Sequence, residues 1–115
     1  MNVLQAIKRA DELRPNGLSD ELKAGWLHQL DGRVAEIMQA DVPLDTWPND
    51  RELMMPYPYD NIYELWLACM IDHAQQDMQL YNIDQIMFNS AMDEARAWWR
   101  RNNRPKTWWG GVMIR

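Results

Sequence analysis

Apolar residues in this chain recur at helical spacing, in blocks cut by proline and glycine, and this most limits what it can fold into. Leu22, Trp26, Leu30, Val34 and Ile37 follow one another at intervals of four, four, four and three, which places them on one stripe of an α-helix. Ser19 precedes the stripe as an N-cap, and Asp20 and Glu21 sit in the first turn, where the helix dipole favours negative charge. A shorter helix precedes it, with Asn2 as its cap, Leu4 and Ile7 three apart, and Pro15-Asn16-Gly17 as its stop. A third helix begins after Asp60 as its cap, with Ile62, Leu65, Trp66, Cys69 and Met70 inward and Glu64, Asp72 and Gln76 in water, and runs to about Tyr81. Asn82 followed by Gln85 resembles a capping box, so a fourth helix starts there with Ile86, Met87, Ala91 and Trp98 buried, unless the third and fourth are one bent helix. Pro105 ends the pattern.

Between Asp41 and Tyr59 four prolines interrupt any period. A connection of that length inside a small domain is uncommon and signals a functional or partner-ordered segment. Pro56-Tyr57-Pro58-Tyr59 is expected to be extended, since each proline fixes its own φ and restricts its predecessor. The expected architecture is all-α: a small four-helix bundle-like domain over residues 1–105, with the long loop 41–59 and an extended C-terminal arm, 106–115.

With 115 residues, the chain fits one domain. No run approaches the roughly 18 apolar residues of a membrane span and no signal peptide is evident, so a soluble protein is expected. The single cysteine excludes an internal disulfide framework and suits synthesis in a reducing cytoplasm. The formal net charge of −5 argues against general nucleic-acid coating. That average conceals a polarity. Arg96, Arg100, Arg101, Arg104, Lys106 and Arg115 are half of the twelve basic residues, and no acidic residue follows Arg96. The first 95 residues thus hold six basic against seventeen acidic ones, a net of −11. The basic end reads equally well as a solvated helix terminus or as a docking surface for an acidic partner.

Chemistry is poorly provided for. Cys69 and His73 lie four apart, the spacing a nucleophile and its base need on a helix. No third orienting group and no glycine-rich oxyanion turn accompany them, so Cys69 reads as a core residue. Glu64, Asp72, His73 and Asp77 contain one histidine and match neither a zinc nor an EF-hand pattern. Together with Asp84, Asp93 and Glu94, they read as a solvated acidic face. His28 reads as a boundary residue. Gly110-Gly111 follows the last helix instead of preceding one, so no phosphate-binding loop is present. No catalytic residue, metal or cofactor is expected, and the chain reads as other than an enzyme.

Seven tryptophans and nine methionines exceed what one small core readily hides. Trp26, Trp66 and Trp98 fit apolar stripes, whereas Trp47, Trp99, Trp108 and Trp109 do not. Trp and Arg dominate many protein interfaces. The expected contact residues are therefore Trp47, Trp99, Arg100, Arg101, Arg104, Lys106, Trp108 and Trp109, with Val112 and Ile114 added as a possible extra strand on a partner's sheet. Alternatively, Trp47 and the arm fold back on their own domain.

The segments Gly25-Trp-Leu-His-Gln-Leu-Asp-Gly-Arg33, Leu53-Met-Met-Pro-Tyr-Pro-Tyr-Asp-Asn-Ile-Tyr-Glu-Leu-Trp66, Met70-Ile71-Asp72, Tyr81-Asn82 and Phe88-Asn-Ser-Ala91 occur in an order that resembles the small head-tail connector proteins of tailed phages and prophages. The resemblance runs from Met1 to Pro105 and leaves out Trp108 to Arg115. It implies a virion protein of the neck, a helical adaptor that forms a ring under the portal, extends the channel through which DNA passes without sequence-specific binding, and receives the next neck or tail component. It supplies no catalytic residue. A regulatory protein-binding module, or another phage head-completion or assembly protein, is the alternative reading.

Overall fold

In a computed structural model, described here for residues 1–103, the chain forms four α-helices: α1 (Val3–Leu13), α2 (Asp20–Met38), α3 (Asn61–Ala74) and α4 (Met78–Asn102). The all-α expectation holds, and α3 is the hub, packing on α1, α2 and most extensively on α4. The caps explain where the helices begin. Asn2 accepts from the Gln5 N–H at 2.9 Å while the Gln5 side chain accepts from the Asn2 N–H at 2.9 Å, a reciprocal capping box. Ser19 Oγ accepts from the Leu22 N–H at 3.2 Å. Asp60 occupies the N-cap position of α3 but makes no side-chain cap bond.

α3 and α4 are separate helices, and their junction lies earlier than the sequence suggests. α3 stops at Ala74, Gln76 takes a left-handed φ of 59°, and Asp77 caps α4 by accepting from the Leu80 N–H at 3.1 Å. Asn82 lies exposed within α4. A cap needs only one short polar side chain at the right turn, and Asp77 and Asn82 are equally suited by type.

Two buried faces differ from the expected ones. On α2, Leu30 and Val34 are fully buried and Trp26 and Ile37 pack partly against the core as expected, but Leu22 is 43% exposed and the face is completed by Leu27, Ala24, Ala35, Lys23 and Asp31. On α4 the core residues are Asp84, Phe88, Ala91, Met92 and Ala95, whereas Ile86 and Met87 stand 71% and 51% exposed. In both helices a charged residue occupies a core position, so the apolar pattern alone points to a neighbouring face. Each such charge is neutralised locally, as burial demands. Lys23 Nζ lies 2.8 and 3.0 Å from the Asp11 carboxylate oxygens. Asp31 accepts from Tyr63 Oη at 2.6 Å and from Arg51 Nη1 at 2.7 Å, and Tyr63 Oη in turn accepts from the Met55 N–H at 2.7 Å.

Asp72 and Asp84, expected on a solvated face, are also buried. Arg14, just past α1, joins them: its Nε donates to Asp72 Oδ1 at 3.1 Å and its Nη2 to Asp84 Oδ1 at 2.9 Å. One cation therefore faces two carboxyls. Loss of hydration and the neighbouring Asp84 push the Asp72 carboxyl up to about 7, against the opposing pull of Arg14.

The proline-rich connection is partly a core element. The Val3 N–H donates to the Arg51 carbonyl at 3.0 Å and the Leu53 N–H to the Met1 carbonyl at 2.9 Å, while Asp50 accepts from the Leu4 N–H at 3.2 Å. The Val3 and Leu4 bonds satisfy orphan donors at the start of α1, and together the three seat Leu53 and Met55 in the core. Pro56 to Tyr59 is a turn closed by the Tyr59 N–H on the Pro56 carbonyl at 2.9 Å, not an extended segment. Proline fixes φ at a value that turns and extended chain share.

Candidate functional site

With the core closed on these faces, α4 keeps a second apolar surface. Met78, Ile83, Ile86 and Met87 are each more than half exposed. Ile83, Ile86 and Met87 are related by steps of three and four and so form one outer stripe. Beside it Leu65 of α3 and Ser90, Ala91 and Glu94 of α4 line a shallow groove of about 350 Å³. The sequence carries a signal for this: α4 has apolar residues over far more than the single stripe that one core needs.

The C-terminal end of α4 is aromatic and basic. Trp98 stacks on Tyr59 with centroids 5.3 Å apart, and Trp99 meets Trp98 at 6.1 Å. Trp98 is thus packed against the core as expected, while Trp99 is half-buried beside it. Arg96, Arg100 and Arg101 are exposed; Arg96 makes a solvent-facing pair with Asp93 at 3.3 Å, and Arg100 and Arg101 stand in the last turn, where cations complement the dipole. Tyr57, in the turn that delivers Tyr59, is 84% exposed. Of the expected contact residues, Arg104, Lys106, Trp108, Trp109, Val112 and Ile114 lie outside the described residues.

Trp47 is half-buried against the core and borders a small crevice with Val3, Ala24 and Arg51. Besides Tyr57, the loop exposes Val42 at 48% and Leu44 at 81%, which the sequence reading did not single out. Trp26 and Trp66 are partly buried against the core. Trp66 Nε1 donates to the Trp26 carbonyl at 2.9 Å, its ring meets Phe88 at 5.2 Å, and the Arg33 guanidinium lies 5.3 Å over it.

Cys69 is buried while His73 is exposed against Tyr81, so the two do not form a working pair. Burial, with Asp84 and Asp72 nearby, pushes the Cys69 thiol up to about 12, so it carries no thiolate at neutral pH. Among the described residues no cluster of three or more His, Cys, Asp or Glu side chains has the arrangement of a metal site. Asp72 and Asp84 are buried against Arg14. His28 is half-buried, as a boundary residue would be. No described helix is long and apolar enough to cross a membrane. What the arrangement offers is adhesion: an apolar stripe and groove on a rigid helix that ends in an aromatic, cationic tip. Comparison of the chain with family models, with curated proteins and with solved structures finds no match.

Proposed function

We propose that this protein is a structural adaptor of the phage neck, made in the host cytoplasm and assembled into a ring under the portal, where it extends the DNA channel and receives the next neck or tail component. The reading begins from the resemblance carried by Gly25–Arg33, Leu53–Trp66 and Phe88–Ala91. The observation that carries it further is the outer stripe of α4. Ile83, Ile86 and Met87 remain in water although the domain already has a complete core, and contiguous exposed apolar surface marks a place where another protein sits. Arg100 and Arg101, at the tip of the same helix, supply the charge that gives such a contact its register. The acidic balance of the first 95 residues suits a channel wall to which DNA does not adhere.

Electron microscopy of the protein mixed with a portal assembly tests the proposal. A many-copy annulus stacked on the portal is expected. A one-to-one or two-to-two complex would replace the adaptor with a regulatory binding module, and no association would remove both.

A further inference from the structure

The proline-rich loop and the outer face of α4 complement each other in apolarity and in charge, yet they do not cover each other within one chain. We propose that Leu44 of one copy enters the α3–α4 groove of the next, with Asp41 paired to Arg101 beside it, so that the protein associates head to tail with itself.

The form of the loop is the first argument. Gln39 ends α2 with a left-handed φ of 54°, the Ala40 N–H donates to the Ala35 carbonyl at 2.9 Å, and Trp47 packs against the core. Between these two anchors Asp41 to Asp45 stands outward, with Val42 48% and Leu44 81% exposed. Pro43 fixes a backbone angle at its centre, and a segment so held loses little entropy on docking. The groove offers Leu65, Ile86, Met87 and Ala91 as apolar walls. Ile86 is 71% exposed in the same chain whose Leu44 is bare. Contact between them therefore joins two copies.

Charge is the second. From Glu36 to Asp50 there are four acidic residues and no basic one, whereas from Arg96 to Asn103 there are three basic residues and no acidic one. Asp41 and Arg101 are both exposed. The apolar and charged parts also fall in register. Arg101 lies about 15 Å beyond Ala91 along α4. With Leu44 over Ala91, three residues of extended loop carry Asp41 about 10 Å the same way. That takes it past Glu94 at the groove edge, and the long Arg101 side chain leans back toward it, as side chains on a helix do.

A loop on one copy and a groove on the next are different surfaces, so the contact is heterologous and closes into a ring where its rotation permits. Ring closure rests on the adaptor reading; the contact between two copies does not. One leucine and a rim ion pair bind weakly alone, and gain strength when copies are gathered side by side on a template.

The test mixes two full-length chains under mild oxidation, both with Cys69→Ala so that only introduced thiols react. One carries Asp45→Cys, next to the intact Leu44, and an isotope label; the other carries Ser90→Cys in the groove. Mass spectrometry should find the mixed D45C–S90C disulfide in about tenfold excess over either same-chain product, reflecting the local concentration of the two thiols. Leu44→Ser in the first chain, an exposed position whose change leaves the core intact, should reduce the products to a statistical mixture. Arg101→Glu in the second chain should lower the mixed yield about two- to fivefold, the range of a rim ion pair, and Asp41→Arg in the first should restore it. A statistical mixture from the start, no linked product, or a yield that the double charge reversal does not restore would each overturn the proposal. Same-chain S90C disulfides as the main product would also sink it, and would assign the groove to a two-fold pairing of α4 helices. No portal is present, so this result and the microscopy of portal complexes can fail independently.

Discussion

Replacing Asp72 with asparagine should stabilise the protein at alkaline pH, although it removes half of a buried ion pair. Asp72 is fully buried beside Asp84, and among the described residues Arg14 is the one cation bonded to either. Its carboxyl is raised to about 7 from an ordinary value of 3.8. The folded state therefore holds a proton that the unfolded chain has released, which reverses the usual carboxylate case. This group's contribution to stability is fully present below pH 3.8 and is lost as pH rises through 7. At 1.36 kcal/mol per unit, the loss grows from about 2 kcal/mol at pH 5 to about 4 kcal/mol at pH 8. Asparagine resembles the protonated acid in shape, accepts from Arg14 Nε through its oxygen, and offers an N–H to Asp84. Urea denaturation of Asp72→Asn and wild type at both pH values isolates the effect of the buried cluster, because titrations remote from it cancel in the difference. The variant should gain about 2 to 3 kcal/mol relative to wild type between pH 5 and pH 8. A relative loss over that interval would show that the carboxylate is ionised and required, and would refute the reasoning.

Tyr63→Phe leaves Asp31 Oδ1 and the Met55 N–H without the hydroxyl that joins them and should cost about 2 kcal/mol in chemical denaturation; an unchanged midpoint would show that water takes its place. Cys69 should resist iodoacetamide at pH 7.5 in the native protein and react promptly once urea unfolds it, since burial holds the thiol up at about 12; rapid native alkylation, followed by mass spectrometry, would contradict this. Leu44→Asp should leave helical content and thermal midpoint unchanged, because the side chain is 81% exposed, yet reduce incorporation into portal complexes; Trp47→Ala should instead lower the thermal midpoint, through lost packing on Val3 and Ala24. Purified protein is expected to sediment as a monomer at low micromolar concentration, since its exposed apolar area is small beside that of obligate assemblies; a stable ring without the portal would count against the proposed order of assembly.

The helices and their starts were legible where a local interaction decides them. Asn2, Ser19 and the Pro15-Asn16-Gly17 stop act within a few residues, and the sequence names them directly. The buried faces of α2 and α4 were not legible in this way. A periodicity argument counts apolar residues, and here Lys23, Asp31, Asp72 and Asp84 occupy inward positions that become acceptable only because Asp11, Tyr63, Arg51 and Arg14 arrive from other segments. Those partners lie 12 to 70 residues away in the chain, and no windowed pattern pairs them. The exposed stripe was missed for the same reason: assigning Ile86 and Met87 to the core left nothing to mark α4 as apolar on two sides. Trp47 fits no helical stripe and so reads as a contact residue or as one folded back on its own domain; the loop that carries it is fastened to α1 by backbone bonds, which leave no trace in side-chain composition.

The misplaced charges and the exposed stripe have one physical origin. An apolar residue at position 84 would pack against α3 in several rotations of α4 at comparable energy. A carboxylate there is tolerated only where Arg14 reaches it, because an unpaired buried charge costs several kcal/mol. The Arg14–Asp72–Asp84 cluster thus selects one rotation of α4 on α3, at some expense of stability near neutral pH. In that rotation Phe88, Met92 and Ala95 turn inward, and Ile83, Ile86 and Met87 are held outward in a fixed direction. Replacing the whole cluster with apolar residues of similar volume should therefore raise the melting temperature while loosening the helix register, seen as broadened methyl resonances of the α4 isoleucines and methionines. Sharp, unshifted resonances in such a variant would mean that packing of Phe88 and Trp66 alone fixes the rotation, and that the charges do not orient the outer face.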